Sequence, residues 1–209
     1  MFNTPIFTYD LHQKILPGLV TLGKYSSDET PSLTAVTTSN KIIIQDLTAF
    51  ENRTDSNGNI RSFNIIQPIT SIVAARFTGD DADVLLVCTK SNLLVYKVEE
   101  NQDVFTRNVT DGGNVVIYGV ISDQELILVG GNCSVQGFDK SGEDPFWTVT
   151  GDNVRSLALL DIDNDGKNEL VVGSDDYDIR IFKDDDLVHE ITETQIVTHL
   201  YALGQFNRL

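Results

Sequence analysis

The chain reads as an all-β protein, a β-propeller of four-stranded antiparallel blades, on three observations. A segment recurs along it. Val36-Thr-Thr-Ser-Asn-Lys-Ile-Ile-Ile44, Val87-Cys-Thr-Lys-Ser-Asn-Leu-Leu-Val95 and Val129-Gly-Gly-Asn-Cys-Ser-Val-Gln-Gly137 align, and Val172-Gly-Ser-Asp-Asp-Tyr-Asp-Ile-Arg-Ile181 joins them with one extra residue. The leading valines lie 51, 42 and 43 residues apart. Each unit holds several short apolar runs of strand length, bounded by Ser, Asn, Asp and Gly. No stretch requires a helix. A period of about 40–50 residues with several short strands per unit is the signature of a propeller blade.

Within each unit the elements follow in a fixed order. A first strand (19–22, 72–75, 115–118, 156–160) leads into a polar loop. A second strand (33–37, 84–88, 126–130, 170–173) is almost continuously apolar, as expected of a strand buried on both faces. A short turn of Ser, Asn, Asp and Gly leads to a third strand (41–45, 93–97, 135–139, 179–183). A fourth, more polar strand closes the unit, clearest at 187–192, where Leu187, His189 and Ile191 alternate with Val188 and Glu190. The blades are expected at 15–65, 69–110, 114–150 and 153–192. Residues 195–203 match the start of the fourth unit and predict the first strand of a fifth blade within 195–209. Four blades and one strand predict an incomplete ring. Residues 47–61 read as a polar loop.

Length and charge bound the function. A chain of 209 residues supports one domain with a sizeable core. A net charge of −16 opposes binding to nucleic acid, whose phosphates need Lys and Arg, and unaided binding to an anionic membrane. An electrostatically matched partner would be basic. No apolar span of transmembrane length occurs, so no membrane insertion is expected. The N-terminus lacks the basic and apolar regions of a signal peptide. Asn52, Asn108 and Asn132 head glycosylation sequons that carry no weight without such a peptide. Cys88 and Cys133 lie in strand-like contexts and read as buried reduced thiols rather than a disulfide.

The chemistry concentrates at Asp161-Ile-Asp-Asn-Asp-Gly-Lys-Asn-Glu-Leu170, between two strand-like runs. Asp161, Asp163 and Asp165 would supply side-chain oxygens to a hard cation such as Ca²⁺, Lys167 its carbonyl, and Glu169 would close the shell. Gly166 permits the sharp turn. Position twelve is Val172 rather than the bidentate Glu of an EF-hand, so this is a strand–loop–strand loop, of the type found in propellers with integrin-α-like repeats. The other reading is a polar hairpin that turns without metal. The equivalent loops at 25–30 and 78–83 have lost the alternation, so one structural Ca²⁺ site is expected. Asp175, Asp176 and Asp178, then Asp184, Asp185 and Asp186, read as a solvated rim before they read as a surface for a basic partner. Trp147 reads as an inter-blade packing residue before an interface anchor. His12, His189 and His199 have no nucleophile motif beside them, and no phosphate loop or zinc ligand set is spaced properly. The chain is therefore expected not to be an enzyme.

These residues carry a resemblance. The run from Gly130 to Phe138, the run from Phe146 through the Asp loop to Lys183, and Glu193-Thr-Gln-Ile-Val-Thr198 together resemble the N-terminal propeller of the Bardet–Biedl syndrome 2 family. The similarity covers most of the chain, is densest over 115–200 and is lost at 45–68. The resemblance implies a subunit of the BBSome, a coat-like complex that moves membrane proteins in and out of cilia. It implies a non-enzymatic scaffold acting in ciliary membrane-protein trafficking and cilium assembly. Its partners would be other BBSome-type subunits, especially a related propeller subunit, with membrane-protein cargo bound indirectly. The location would be the cilium, ciliary membrane, basal body and cytoplasm. The alternative is an integrin-like, Ca²⁺-binding extracellular adhesion propeller, which the Asp loop favours and the missing signal peptide opposes.

Overall fold

The computed structural model describes residues 11–26, 30–47, 60–77, 79 and 81–202, and these form sixteen strands and no helix. Four sheets take the strands in sequence order. The first holds β1 (Ile15–Gly23), β2 (Ser32–Thr37), β3 (Lys41–Asp46) and β4 (Ile60–Asn64). The second holds β5 (Ile69–Ala75), β6 (Val84–Thr89), β7 (Asn92–Lys97) and β8 (Gln102–Asn108). The third holds β9 (Val115–Ile121), β10 (Gln124–Gly130), β11 (Ser134–Phe138) and β12 (Phe146–Val149). The fourth holds β13 (Val154–Leu160), β14 (Glu169–Ser174), β15 (Asp178–Lys183) and β16 (Asp186–Thr192). Every pairing is antiparallel, and the four blades form an open arc rather than a closed ring.

Local chemistry explains the strand ends. β9 and β10 are joined by Ser122 and Asp123 alone, both at positive φ (53° and 61°). Two left-handed residues match the right-handed strand twist, as in a type I′ hairpin. Asn40 and Tyr177 turn the chain between second and third strands at φ 60° and 70°. Three of the first strands, β1, β5 and β13, begin earlier than their apolar runs suggest. β1 reaches back to Ile15 across a register shift at Pro17 and Gly18, and β5 and β13 also carry bulges near their starts. A bulge leaves a residue outside the inward–outward alternation, so the apolar pattern breaks where the strand continues.

The core lies between blades. Tyr25, Val36, Ile42, Ile72, Leu85 and Val87 fill the space between the first and second. Phe77, Leu86, Val95, Val116, Ile127 and Phe138 fill that between the second and third. Leu126, Leu128, Val154, Leu170, Val172 and Phe182 fill that between the third and fourth. β6 is buried at every position, as a strand covered on both faces must be. β16 is exposed at every position.

A repeated device joins the innermost strands. Thr21 Oγ1 on β1 accepts the Ala74 N–H of β5 at 3.3 Å, and Ser71 Oγ on β5 accepts the Val116 N–H of β9 at 3.2 Å. Ser156 Oγ on β13 accepts the Leu200 N–H at 2.7 Å. Val197 packs over Gly173 of β14 as Val154 packs over Gly130 of β10. Residues 195–202 therefore lie against β13 as the first strand of a further blade would. They are not assigned as a strand, because no neighbouring strand pairs with them. The start of a fifth blade read at 195–203 thus lies where that reading puts it, with no strand pairing among the described residues; residues 203–209 lie outside the described residues. Most of the polar loop at 47–61 also lies outside them.

Two expectations about single residues change. Cys88 is buried on β6, and burial pushes its thiol up to about 11. Cys133 is exposed, because it falls in the turn before β11 rather than in the strand. Trp147 is 44% exposed on the outer strand β12, while its neighbour Phe146 turns inward. Side chains alternate along a strand, so only one of the two can face the core.

Candidate functional site

The loop at 161–168 joins β13, an innermost strand, to β14, the buried second strand of the same blade. Its acidic side chains first organise its own backbone. Asp161 accepts the Asp165 N–H (3.1 Å) through Oδ1 and the Gly166 N–H (3.0 Å) through Oδ2. Asp163 Oδ1 accepts the Asp165 N–H at 3.1 Å, and Asp165 Oδ1 accepts the Lys167 N–H at 2.8 Å. Gly166 sits at φ +91°, which explains why the fold places glycine there. Glu169 starts β14 and is 3% exposed; its Oε2 accepts the Ile162 N–H at 2.8 Å.

The structure brings three of the expected ligands together. Carboxylate oxygens of Asp161, Asp163 and Glu169 all lie within 4.8 Å of one another. Asp165 turns toward a lysine instead. Lys183 Nζ lies 2.6 Å from Asp163 Oδ2, 2.6 Å from Asp165 Oδ2 and 3.8 Å from Glu169 Oε1. The side chain of Lys167 leaves the loop and pairs with Asp123 of the β9–β10 turn at 2.5 Å, and Asn168 Nδ2 donates to the Val120 carbonyl at 3.0 Å. The loop thus ties the fourth blade to the third.

Sequence reasoning missed Lys183. The signal was present in the register: Leu170 opposes Phe182 in the β14–β15 ladder, so the next step sets Lys183 opposite Glu169. The second acidic cluster also differs from expectation. Asp175 forms a two-pronged pair with Arg155 (2.5 and 2.7 Å), and Arg180 holds Asp176, Asp178 and Glu190 at 2.7–2.8 Å. These aspartates are neither a bare rim nor free for a partner; internal arginines already match them. Asp184 is hydrogen-bonded to Ser122. His189 sits on exposed β16, and His199 stacks on Tyr201 with centroids 6.1 Å apart.

The hydrogen bond from Lys183, aided by the Lys167 amide, holds Asp165 below the usual carboxylate range, and the Arg155 fork does the same for Asp175. The folded chain therefore releases these protons more readily than the unfolded chain. Their contribution to stability is present above the unfolded carboxylate value and is lost as pH falls through the lower folded one. The thermal midpoint, followed by circular dichroism, should fall between about pH 5 and pH 2. Arg155→Met with Lys183→Met should flatten that fall, and an unchanged profile in the double variant would contradict it.

Comparison with known proteins places this geometry in a family. The model described as "Ciliary BBSome complex subunit 2, N-terminal" matches residues 21–119, and "Ciliary BBSome complex subunit 2, middle region" matches 156–208. A BBSome complex member BBS2 of Danio rerio is 46% identical over 207 residues, covering 94% of this chain and 29% of the relative. One of Homo sapiens is 44% identical over 209 residues with the same coverage, and one of Caenorhabditis elegans 40% over 196 residues, covering 93% and 26%. The chain thus spans less than a third of the length of these relatives. A crystal structure of BBS1N in complex with ARL6DN superposes with a TM-score of 0.67 at 12% identity, covering 93% of this chain and 62% of that one. That likeness bears on the fold alone. Two matching models that together cover well over half of the chain, with identities of 40–46% along 93–94% of it, show that it belongs to the ciliary BBSome subunit 2 family.

Proposed function

We propose that the chain serves as a non-enzymatic scaffold within a BBSome-type complex, acting in ciliary membrane-protein trafficking and cilium assembly through protein–protein contacts. The observation that carries this reading is the 44–46% identity, along 94% of the chain, to proteins named as BBSome complex members. The propeller arc suits the role. Its cores lie between blades, so the outer strands and turns stay free to differ without loss of fold. Its partners are other BBSome-type subunits, especially a related propeller subunit, with cargo reached indirectly. Its places are the cilium, ciliary membrane, basal body and cytoplasm.

Affinity purification of the tagged chain from ciliated cells tests this. Co-purification of other BBSome subunits, in proportion to the bait and lost on substituting exposed outer-strand residues such as Trp147, Leu187 and Val188, is the expected result. Recovery of the bait without any BBSome subunit would overturn the reading.

A further inference from the structure

Glu169 poses an unresolved electrostatic problem. It is 97% buried, yet only Oε2 has a hydrogen-bond partner; Oε1 has none. Its nearest cation, the Lys183 ammonium, stays at 3.8 Å, beyond hydrogen-bond reach. A buried carboxylate oxygen without a partner is costly. Such an oxygen in a folded protein calls for a specific explanation, and an ion is one of the few available. This oxygen belongs to a residue that converges with Asp161 and Asp163 within 4.8 Å.

We propose that the 161–169 loop is a Ca²⁺ site in which Asp161, Asp163 and Glu169 hold the ion, and that the ion competes with the Lys183 ammonium for Asp163. The donor set is oxygen only, which suits a hard cation and not zinc or copper. Ca²⁺ bonds oxygens at about 2.3–2.6 Å, so its ligands can stand up to roughly 5 Å apart. The observed spread fits within that span without rearrangement. Mg²⁺ demands bonds of about 2.0–2.1 Å in a near-ideal octahedron. Carboxylates already fastened to backbone amides at Asp165, Gly166 and Ile162 resist that contraction.

Charge explains the lysine. Three carboxylates face one ammonium, which satisfies Asp163 and Asp165 directly and reaches Glu169 only at a distance. A doubly charged ion would meet Oε1 at bonding distance and leave Asp165 with Lys183. It would also bridge the end of β13 to the start of β14, in the loop that Lys167 and Asn168 already fasten to the third blade. The site stands apart from complex membership, so its test can fail without touching the proposed scaffold role.

Calorimetric titration of the full chain with CaCl₂ and with MgCl₂, at physiological ionic strength and neutral pH, decides it. One Ca²⁺ per chain is expected, bound at least about tenfold more tightly than Mg²⁺. Glu169→Gln preserves shape and can still accept the Ile162 N–H, and it should weaken Ca²⁺ binding by about tenfold or more. Asp163→Asn, on an exposed residue, repeats that loss should Glu169→Gln fold poorly by circular dichroism. Lys183→Met should tighten binding, because it removes the competing charge. Three results would overturn the proposal: no binding up to about 10 mM Ca²⁺, affinity unchanged in folded Glu169→Gln and Asp163→Asn, or weaker binding in Lys183→Met. Diffuse screening by the acidic surface would show as the second of these, with no fixed stoichiometry.

Discussion

Truncating Phe77 to alanine is expected to destabilise the protein by about 3–5 kcal/mol, a large share of the roughly 5–15 kcal/mol that holds a typical domain together. Phe77 is fully buried and lies just past β5, after Arg76. It meets Phe105 of the second blade edge-on at 6.3 Å between centroids and Tyr118 of the third at 5.6 Å. Its removal therefore opens a cavity and also loses two aromatic contacts, one of them bridging blades, each worth about 0.5–1.5 kcal/mol beyond area. The surrounding strands are fixed by their ladders and cannot collapse into the gap. In a urea titration the midpoint should fall markedly with little change in slope. Phe77→Leu should cost clearly less. A loss below about 1 kcal/mol for the alanine variant would mean that the second and third blades are not held by this contact.

The opposite change, adding one carbon, should be nearly as damaging at Gly130. A Cβ there would stand 2.4 Å from Val154 Cγ1, 2.8 Å from Val154 Cβ and 2.9 Å from Val115 Cγ1. Gly130 ends β10, and Val154 begins the next blade, so the new methyl is a wedge between blades rather than a local strain. Overpacking of this kind costs about 1–3 kcal/mol. Gly130→Ala should therefore lower the unfolding midpoint, and Val154→Ala in the same chain should recover part of the loss by removing the closest clash. The cycle should return a coupling of at least about 0.5 kcal/mol. Strictly additive effects would show that the blades separate freely at this point.

How far the sequence could be read varies along the chain, for physical reasons. Strands such as β6, β10 and β14 were legible because the stretches covered on both faces are almost continuously apolar. The outer strands β4, β8 and β12 were hardly legible, because one face meets water and their composition is free. At the acidic loop the residue types and spacing announced an oxygen-rich turn, and Gly166 marked its sharp corner. They did not announce that Asp165 would turn to Lys183, nor that Arg155 and Arg180 would match the second cluster. Those pairs join residues brought together by ladder register, and charge spacing in one segment carries no record of the strand beside it.

By itself, the sequence determined the all-β class, the number of blades, their strand order and the place of the acidic loop, because strand periodicity and repeat spacing are local properties of the chain. Only the tertiary structure decided which neighbour each of these residues meets. It seated Val154 on Gly130, set Phe77 between two blades, left Trp147 outside and buried Glu169 with one oxygen unmatched. Packing between blades is fixed by the twist and stagger of whole sheets, and that geometry exists only once the sheets have formed.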